Sequence, residues 1–253
     1  MSVLKTDKLN VGYNKKVLIH DIDLCIEKGE ILTLIGPNGA GKSTILKTIA
    51  RQLDNLGGSV YVDENDYMKI GGNEFAKKMA VMFTGKVKSE MLSCGDIVAT
   101  GRYPYTGHFG LLSKEDKEEV AKAMELVNIS DIKDNDFSKI SDGQRQRVML
   151  ARAVCQDTDI IILDEPTSFL DIKYKLEFVS IIKKLTKEKN LTVIMSLHEL
   201  EIAKKISDKI VCVKGDRIDK CGTPDEIFKD EYIRELYDID DAKMPENIDI
   251  LKI

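Results

Sequence analysis

A chain of 253 residues with 43% apolar side chains can bury one large core, or a core with an inserted lobe. A net charge of −5, with Lys and Arg spread along the chain, excludes nonspecific nucleic-acid binding, which needs a basic surface. No apolar run approaches the ~20 residues of a membrane-crossing helix, so work at a membrane would need other chains to span it. Five cysteines, Cys25, Cys94, Cys155, Cys212 and Cys221, stand singly with no Cys-x-x-Cys pair. The odd count, with no secretory signal pattern, predicts a reducing cytosol.

The first elements read as β. Residues 3–13 alternate loosely, Asn14, Lys15 and Lys16 suit a turn, and residues 17–26 suit a second strand. Lys28 and Gly29 punctuate before an apolar run, Ile31–Ile35, and a helical pattern begins at Ile45. Gly57 and Gly58 open a short strand through Val62, and residues 80–83 form another candidate. From about 86 to 156 the chain turns mostly helical, interrupted by Gly101-Arg102-Tyr103-Pro104-Tyr105-Thr106-Gly107. Within it, residues 113–127 place Val120, Met124 and Val127 at helical spacing. Residues 159–163 read as a buried strand. Ile172, Leu176, Val179, Ile182 and Leu185 mark one face of a long helix. Residues 191–195 form the next strand, and the last thirty or so residues are weakly patterned, with a short helix after Pro224.

Between the strand Ile31–Ile35 and the helix at Ile45 lies Gly36-Pro37-Asn38-Gly39-Ala40-Gly41-Lys42-Ser43-Thr44. Strand, glycine-rich loop and helix together are the setting of a phosphate-binding loop. The glycines let several N–H groups converge on one anion, and the helix adds its positive end. Lys42 has the reach for β- and γ-phosphates, and Ser43 can offer a hydroxyl to Mg²⁺. A metal strand should complete the site. Residues 159–163 followed by Asp164 and Glu165 supply it: Asp164 emerges at the carboxyl end to hold Mg²⁺. Glu165 is placed to orient or deprotonate the attacking water.

His198 follows the strand at 191–195. Taken alone it reads first as a surface or capping residue, and second as a donor to a γ-phosphate. His20 and His108 lack such a setting and read as structural. Ser141 and Gln144 have the spacing of a capping box, and with Gly143 that helix start doubles as a second anion site.

These motifs, in this order, resemble the nucleotide-binding subunit of an ATP-binding cassette (ABC) transporter over essentially the whole chain. The order runs Tyr13, the phosphate loop, Ile140-Ser141-Asp142-Gly143-Gln144, the strand ending in Asp164 and Glu165, Ser168-Phe169-Leu170-Asp171, then His198. The resemblance implies an α/β P-loop NTPase with a three-layer parallel-sheet core. An N-terminal antiparallel β subdomain and an inserted α-helical subdomain join that core. One domain over 1–253 is expected, with core at about 1–85 and 157–253 and helical lobe at about 86–156. It implies ATP and Mg²⁺, with Tyr13 stacking on adenine. It also implies a head-to-tail dimer in which Ser141 and Gly143 of one copy meet the γ-phosphate held by the other, and Asp171 couples the sites. Integral membrane permease subunits, and indirectly an extracytoplasmic substrate-binding protein, are the other implied partners, with this chain peripheral at the cytoplasmic face.

The heptapeptide 101–107 is similar to a segment of importers for iron–siderophore, haem and cobalamin complexes. An importer ATPase for another small solute, a non-transport cassette ATPase and a regulatory ATP clamp remain alternatives. Where the family carries a glutamine after the strand at 80–83, this chain has Thr84 and then Gly85, which predicts slower or less coupled hydrolysis. Asp142 stands where glycine is commoner; its carboxylate should face away from a γ-phosphate or meet a cation.

Overall fold

The computed structural model describes residues 2–83, 91–107 and 110–239. Thr84, Gly85 and His108 lie outside the described residues. The chain divides into two compact units, Met1–Lys69 with Thr192–Ile253, and Ile70–Leu191.

The first unit opens with β1 (Ser2–Tyr13), which buries Val3, Leu4, Leu9 and Val11. Asn14 and Lys15, both at positive φ, turn the chain into β2 (Lys16–Ile22), with Tyr13 opposite Lys16. A two-residue turn of this hand matches the twist of the strands it joins. The strand expected over 17–26 is in fact two, because β3 (Cys25–Glu27) is separate. Side chains replace ladder bonds at the break. Thr6 Oγ1 accepts the Leu24 N–H at 2.8 Å and donates to the Ile22 carbonyl at 2.7 Å. The Asp23 carboxylate accepts the Lys8 N–H at 2.7 Å. These bonds satisfy backbone groups that a bulged ladder leaves over.

Every residue of β4 (Ile31–Ile35) is buried. After α1 (Lys42–Ile49), β5 (Gly57–Val62) and β6 (Asn65–Asp66) complete an antiparallel sheet ordered β2-β1-β5-β6, with β3 also paired to β1. This is the expected N-terminal β subdomain.

The second unit runs α2 (Gly72–Lys78), β7 (Met79–Met82), α3 (Cys94–Ala99), α4 (Lys114–Leu126), α5 (Asp142–Cys155), β8 (Ile160–Asp164) and α6 (Ile172–Lys189). β7 and β8 pair in parallel. Helices α3, α4 and α5 each start at a serine with a reciprocal capping box: Ser93, Ser113 and Ser141. They enclose Val98, Val120, Met124, Val127, Phe137 and Val148. The face expected for α6 needs correction. Ile182 and Leu185 are buried as anticipated, but with Phe178 and Ile181; Val179 is only half-buried, and Ile172 and Leu176 are 71% and 61% exposed. The stripe follows helical period, yet the residues of α6 that are buried lie between Phe178 and Leu185.

The chain then returns to the first unit with β9 (Thr192–Ser196), α7 (Leu200–Ile206), β10 (Lys209–Lys214), β11 (Arg217–Gly222), α8 (Pro224–Ile227) and α9 (Asp230–Leu236). β4 lies between β9 and β10, parallel to both, and β11 closes a hairpin antiparallel to β10. Strands covered on both faces read as near-continuous apolar runs, as β4, β9 and the middle of β10 do. The helix after Pro224 is present, and α9 beyond it buries Ile233 and Leu236. Among the described residues no helix is long and apolar enough to cross a membrane.

Candidate nucleotide-binding site

The loop from Gly36 to Gly41 leaves the carboxyl end of β4 and enters α1. Gly36, Gly39 and Gly41 stand at φ 142, 79 and 93, values that side chains other than glycine rarely adopt. At Gly39 a Cβ would meet nothing within 4 Å, so glycine serves the backbone angle there. At Gly41 it would come within 2.6 Å of Ile19 Cδ1, so glycine also lets the loop close on β2. Inside the loop the Ala40 N–H reaches the Pro37 carbonyl at 3.2 Å.

Gly41 is the N-cap of α1 and no side chain caps that helix. A helix start carries up to four N–H groups without intrahelical partners and a positive dipole end, which together attract an anion. The Lys42 ammonium lies back along the loop, donating to the carbonyls of Gly36 at 2.7 Å and Pro37 at 3.0 Å. Ser43 is half-buried at the first turn. Thr44 Oγ1 donates to the Tyr13 hydroxyl at 3.1 Å, which ties the end of β1 to the start of α1 and sets a half-exposed aromatic ring beside the loop. His198, exposed, lies between β9 and α7.

The remaining site residues belong to the second unit. Asp164 ends β8 and is 1% exposed. Glu165 follows at φ 48, an uncommon angle for a glutamate. Several contacts hold this turn, among them the bond from the Ser168 N–H to the Glu165 carbonyl at 3.2 Å. Ser168 Oγ lies 3.3 Å from Glu165 Oε2, and the Gln146 side-chain amide donates to the carbonyls of Glu165 at 3.3 Å and Pro166 at 2.9 Å. Backbone held in a sparsely populated region by surrounding bonds is a recurrent mark of working sites. Gln146 was not among the residues the sequence singled out. It bonds to carbonyls about twenty positions away, and no local pattern encodes that.

Ser141 and Gln144 form the capping box that their spacing predicted: Ser141 Oγ accepts the Gln144 N–H at 3.2 Å, and Gln144 Oε1 accepts the Ser141 N–H at 3.0 Å. Asp142 is exposed and paired with Arg145 at 2.8 Å, so its carboxylate does meet a cation. Gly143 is half-buried, and a Cβ there would touch only Leu170 Cδ2, at 3.7 Å, and the Phe169 carbonyl oxygen, at 3.9 Å. Nothing inside the described chain demands glycine at 143. Asp171 is the N-cap of α6, accepting the Tyr174 N–H at 3.1 Å.

The heptapeptide at 101–107 also resolves into parts. Residues Thr100–Tyr105 form a tight 3-10 turn. Gly101 is required by packing, since a Cβ would lie 2.4 Å from the Arg152 carbonyl oxygen. Arg102 is buried, bonded through Nε to Asp116 at 2.8 Å and through NH1 to the Cys155 carbonyl at 3.0 Å, with its guanidinium 4.0 Å from the Tyr105 ring centroid. Burial pushes the Asp116 carboxyl up, but the bonds from Arg102 and Ser113 prevail and hold it below the ordinary carboxylate value. Tyr103 is the most exposed aromatic of the segment, at 61% against 39% for Tyr105.

A strand, a glycine loop with its lysine folded back, an uncapped helix start, and a second strand ending in a buried aspartate define a P-loop nucleoside triphosphatase. The family model described as ABC transporter matches residues 19–168. An uncharacterized ABC transporter ATP-binding protein of Methanocaldococcus jannaschii is 43% identical over 246 residues, covering 97% of this chain and 85% of that protein. The iron(3+)-hydroxamate import ATP-binding protein FhuC of Bacillus subtilis is 35% identical over 240 residues, covering 95% of this chain and 89% of its own length. A dimeric ATP-binding cassette in a post-hydrolysis state, bound to ADP and Pi, matches with a TM-score of 0.77 at 23% identity, covering 87% of this chain and 98% of that one. At that identity the likeness speaks for the fold. The chain belongs to the ABC transporter family, as one of its ATPase cassettes.

Proposed function

We propose that this chain is the ATP-hydrolysing subunit of a membrane importer for an iron–siderophore, haem or cobalamin complex, peripheral at the cytoplasmic face of the membrane. The observation that carries the reading is the loop at 36–44, with its positive-φ glycines, uncapped helix start and Lys42 resting on loop carbonyls. An arriving triphosphate competes with two neutral carbonyls for the Lys42 ammonium. It wins, because phosphate adds direct attraction of opposite charges to the hydrogen bond, which a neutral carbonyl cannot supply. Residues Gly36 to Thr44 would cradle the phosphates, and Tyr13 would stack on the base.

Mg²⁺ neutralises phosphate charge when bound, and the Ser43 hydroxyl and the Asp164 carboxylate would hold it together with water. The donors fit: both are hard oxygen ligands, and Mg²⁺ is ordinarily held by one or two carboxylates plus phosphates rather than by a protein cage. Among the described residues no group of three or more His, Cys, Asp or Glu could hold a metal by itself. Glu165 would take the proton of the attacking water, its backbone set by Gln146 and its carboxylate beside Ser168. His198 would donate to the γ-phosphate. In a second copy, Ser141, Gly143 and Gln144 would close over that phosphate; the open space around Gly143 supports close approach by an outside group. Asp171, fixed as a helix cap, would couple the two sites. We read 86–156 as the helical subdomain and 1–85 with 157–253 as the core.

Tyr103, exposed on a segment anchored by Arg102, would meet the permease subunits, and an extracytoplasmic binding protein would deliver cargo to them. The cargo class is supported by the heptapeptide and by the similarity to an iron(3+)-hydroxamate import subunit. The test is Glu165→Gln with its permease. Turnover should fall by about 10²–10⁴-fold, the usual contribution of a general base, while an ATP-bound dimer accumulates on a sizing column. Full turnover in this variant would remove Glu165 from the chemistry. Uptake of a ferric hydroxamate by cells carrying the intact transporter, and its loss in the variant, tests the cargo class.

A further inference from the structure

Gly36, where β4 passes into the phosphate loop, is held on both faces of its backbone. Its carbonyl receives Lys42 at 2.7 Å, and its N–H donates to the Tyr237 hydroxyl at 3.1 Å. A Cβ at Gly36 would lie 2.1 Å from the Val213 carbonyl oxygen, so this point is also pressed against β10. Tyr237 is the C-cap of α9, two hundred positions along the chain. Its own segment is tied down: Lys214, at the end of β10, donates to the Glu235 carbonyl and pairs with Asp238 at 2.9 Å. One strand end thus anchors both the glycine and the tyrosine that bonds it. Burial pushes the Tyr237 hydroxyl up to about 12, so it is neutral over the working range.

We propose that Tyr237 is a positioning residue of the phosphate loop, fixing the Gly36 peptide so that Lys42 and the loop amides are preset for a triphosphate. This rests on the reading that the loop binds ATP. Gly36 keeps its N–H bonded to protein. Its flanking peptides therefore need no reorganisation when the phosphates arrive, and preorganisation of this kind appears as affinity. The hydroxyl bonds the Gly36 backbone and acts through it, so the effect should fall on binding rather than on the chemical step.

The experiment compares Tyr237→Phe with Tyr232→Phe in the full chain. Tyr232→Phe removes another hydroxyl from α9, one bonded to Asp219 at 2.7 Å. For Tyr237→Phe, the Kd and KM for ATP should rise about three- to tenfold, the scale of one neutral hydrogen bond, with kcat within twofold. Hydrogen exchange at the Gly36 amide should quicken without nucleotide. Tyr232→Phe should leave ATP binding and the Gly36 amide as in the parent, whatever it does to Tm. Unchanged Kd and KM in Tyr237→Phe, or an equal shift in both variants, would overturn the proposal while the parent still binds ATP. Failure of the parent itself to bind ATP would instead remove the reading beneath it, and the positioning role with it.

Discussion

The phosphate loop and the 101–107 segment are both short, glycine-bearing and marked by one basic residue, yet they use that residue in opposite ways. In the loop, Lys42 lies on two neutral carbonyls that a phosphate can displace. At 101–107, Arg102 is buried against a carboxylate, a carbonyl and a tyrosine ring, and the most exposed aromatic is Tyr103. Moving the lysine off its carbonyls leaves no charge behind on them, whereas breaking the buried arginine pair strands one. On the proposed reading, one cation is kept for ligand and the other holds a surface in shape.

Breaking the comparison at its catalytic end should have the largest effect. Lys42→Ala should lower ATP turnover by at least about a hundredfold, because it removes a preorganised charge at the transferring phosphate. A Tm close to the parent's, with binding lost in a fluorescent-nucleotide titration, would mark the loss as functional. Arg102→Ala should act on the other side. Leaving Asp116 buried and unpaired costs about 3–5 kcal/mol, visible in urea unfolding, while ATP affinity of the remaining folded protein stays within twofold. A fall in affinity matching that of Lys42→Ala would erase the distinction.

Acid sharpens it further. Asp116 titrates below its ordinary value of 3.8 in the folded chain, so its contribution is present in full above that value. It is lost as pH falls below 3.8 through the folded value. Unfolding curves from pH 6 to pH 2 should show this loss in the parent and a shallower one in Arg102→Met with Asp116→Leu. The smallest expected effect on stability is that of Tyr103→Ala, within about 0.5 kcal/mol for an exposed side chain. That variant should still hydrolyse ATP alone but show reduced co-purification with the permease. Unaltered co-purification and transport would take Tyr103 out of the interface.

The phosphate loop was legible because its chemistry is local. Nine consecutive residues supply the positive-φ glycines, the lysine and the hydroxyl, between a strand and a helix that each announce themselves by period. The capping box at Ser141 was legible for the same reason. The break between β2 and β3 was not, since Thr6 and Asp23 act across strands to interrupt an apolar run that reads as continuous. The outer turns of α6 misled for a related reason: period shows which residues share a face, not whether anything covers it.

By itself, then, the order of residues determined the nucleotide chemistry, because phosphate binding depends on backbone angles and a lysine within one turn of chain. Tertiary structure alone decided which polar groups steady that chemistry. Gln146 reaches the Glu165 and Pro166 carbonyls, Arg102 finds Asp116, and Tyr237 meets Gly36 from 201 positions away. Bonds between segments so distant in sequence exist only once packing has brought their donors and acceptors within about 3 Å, a condition no local pattern records.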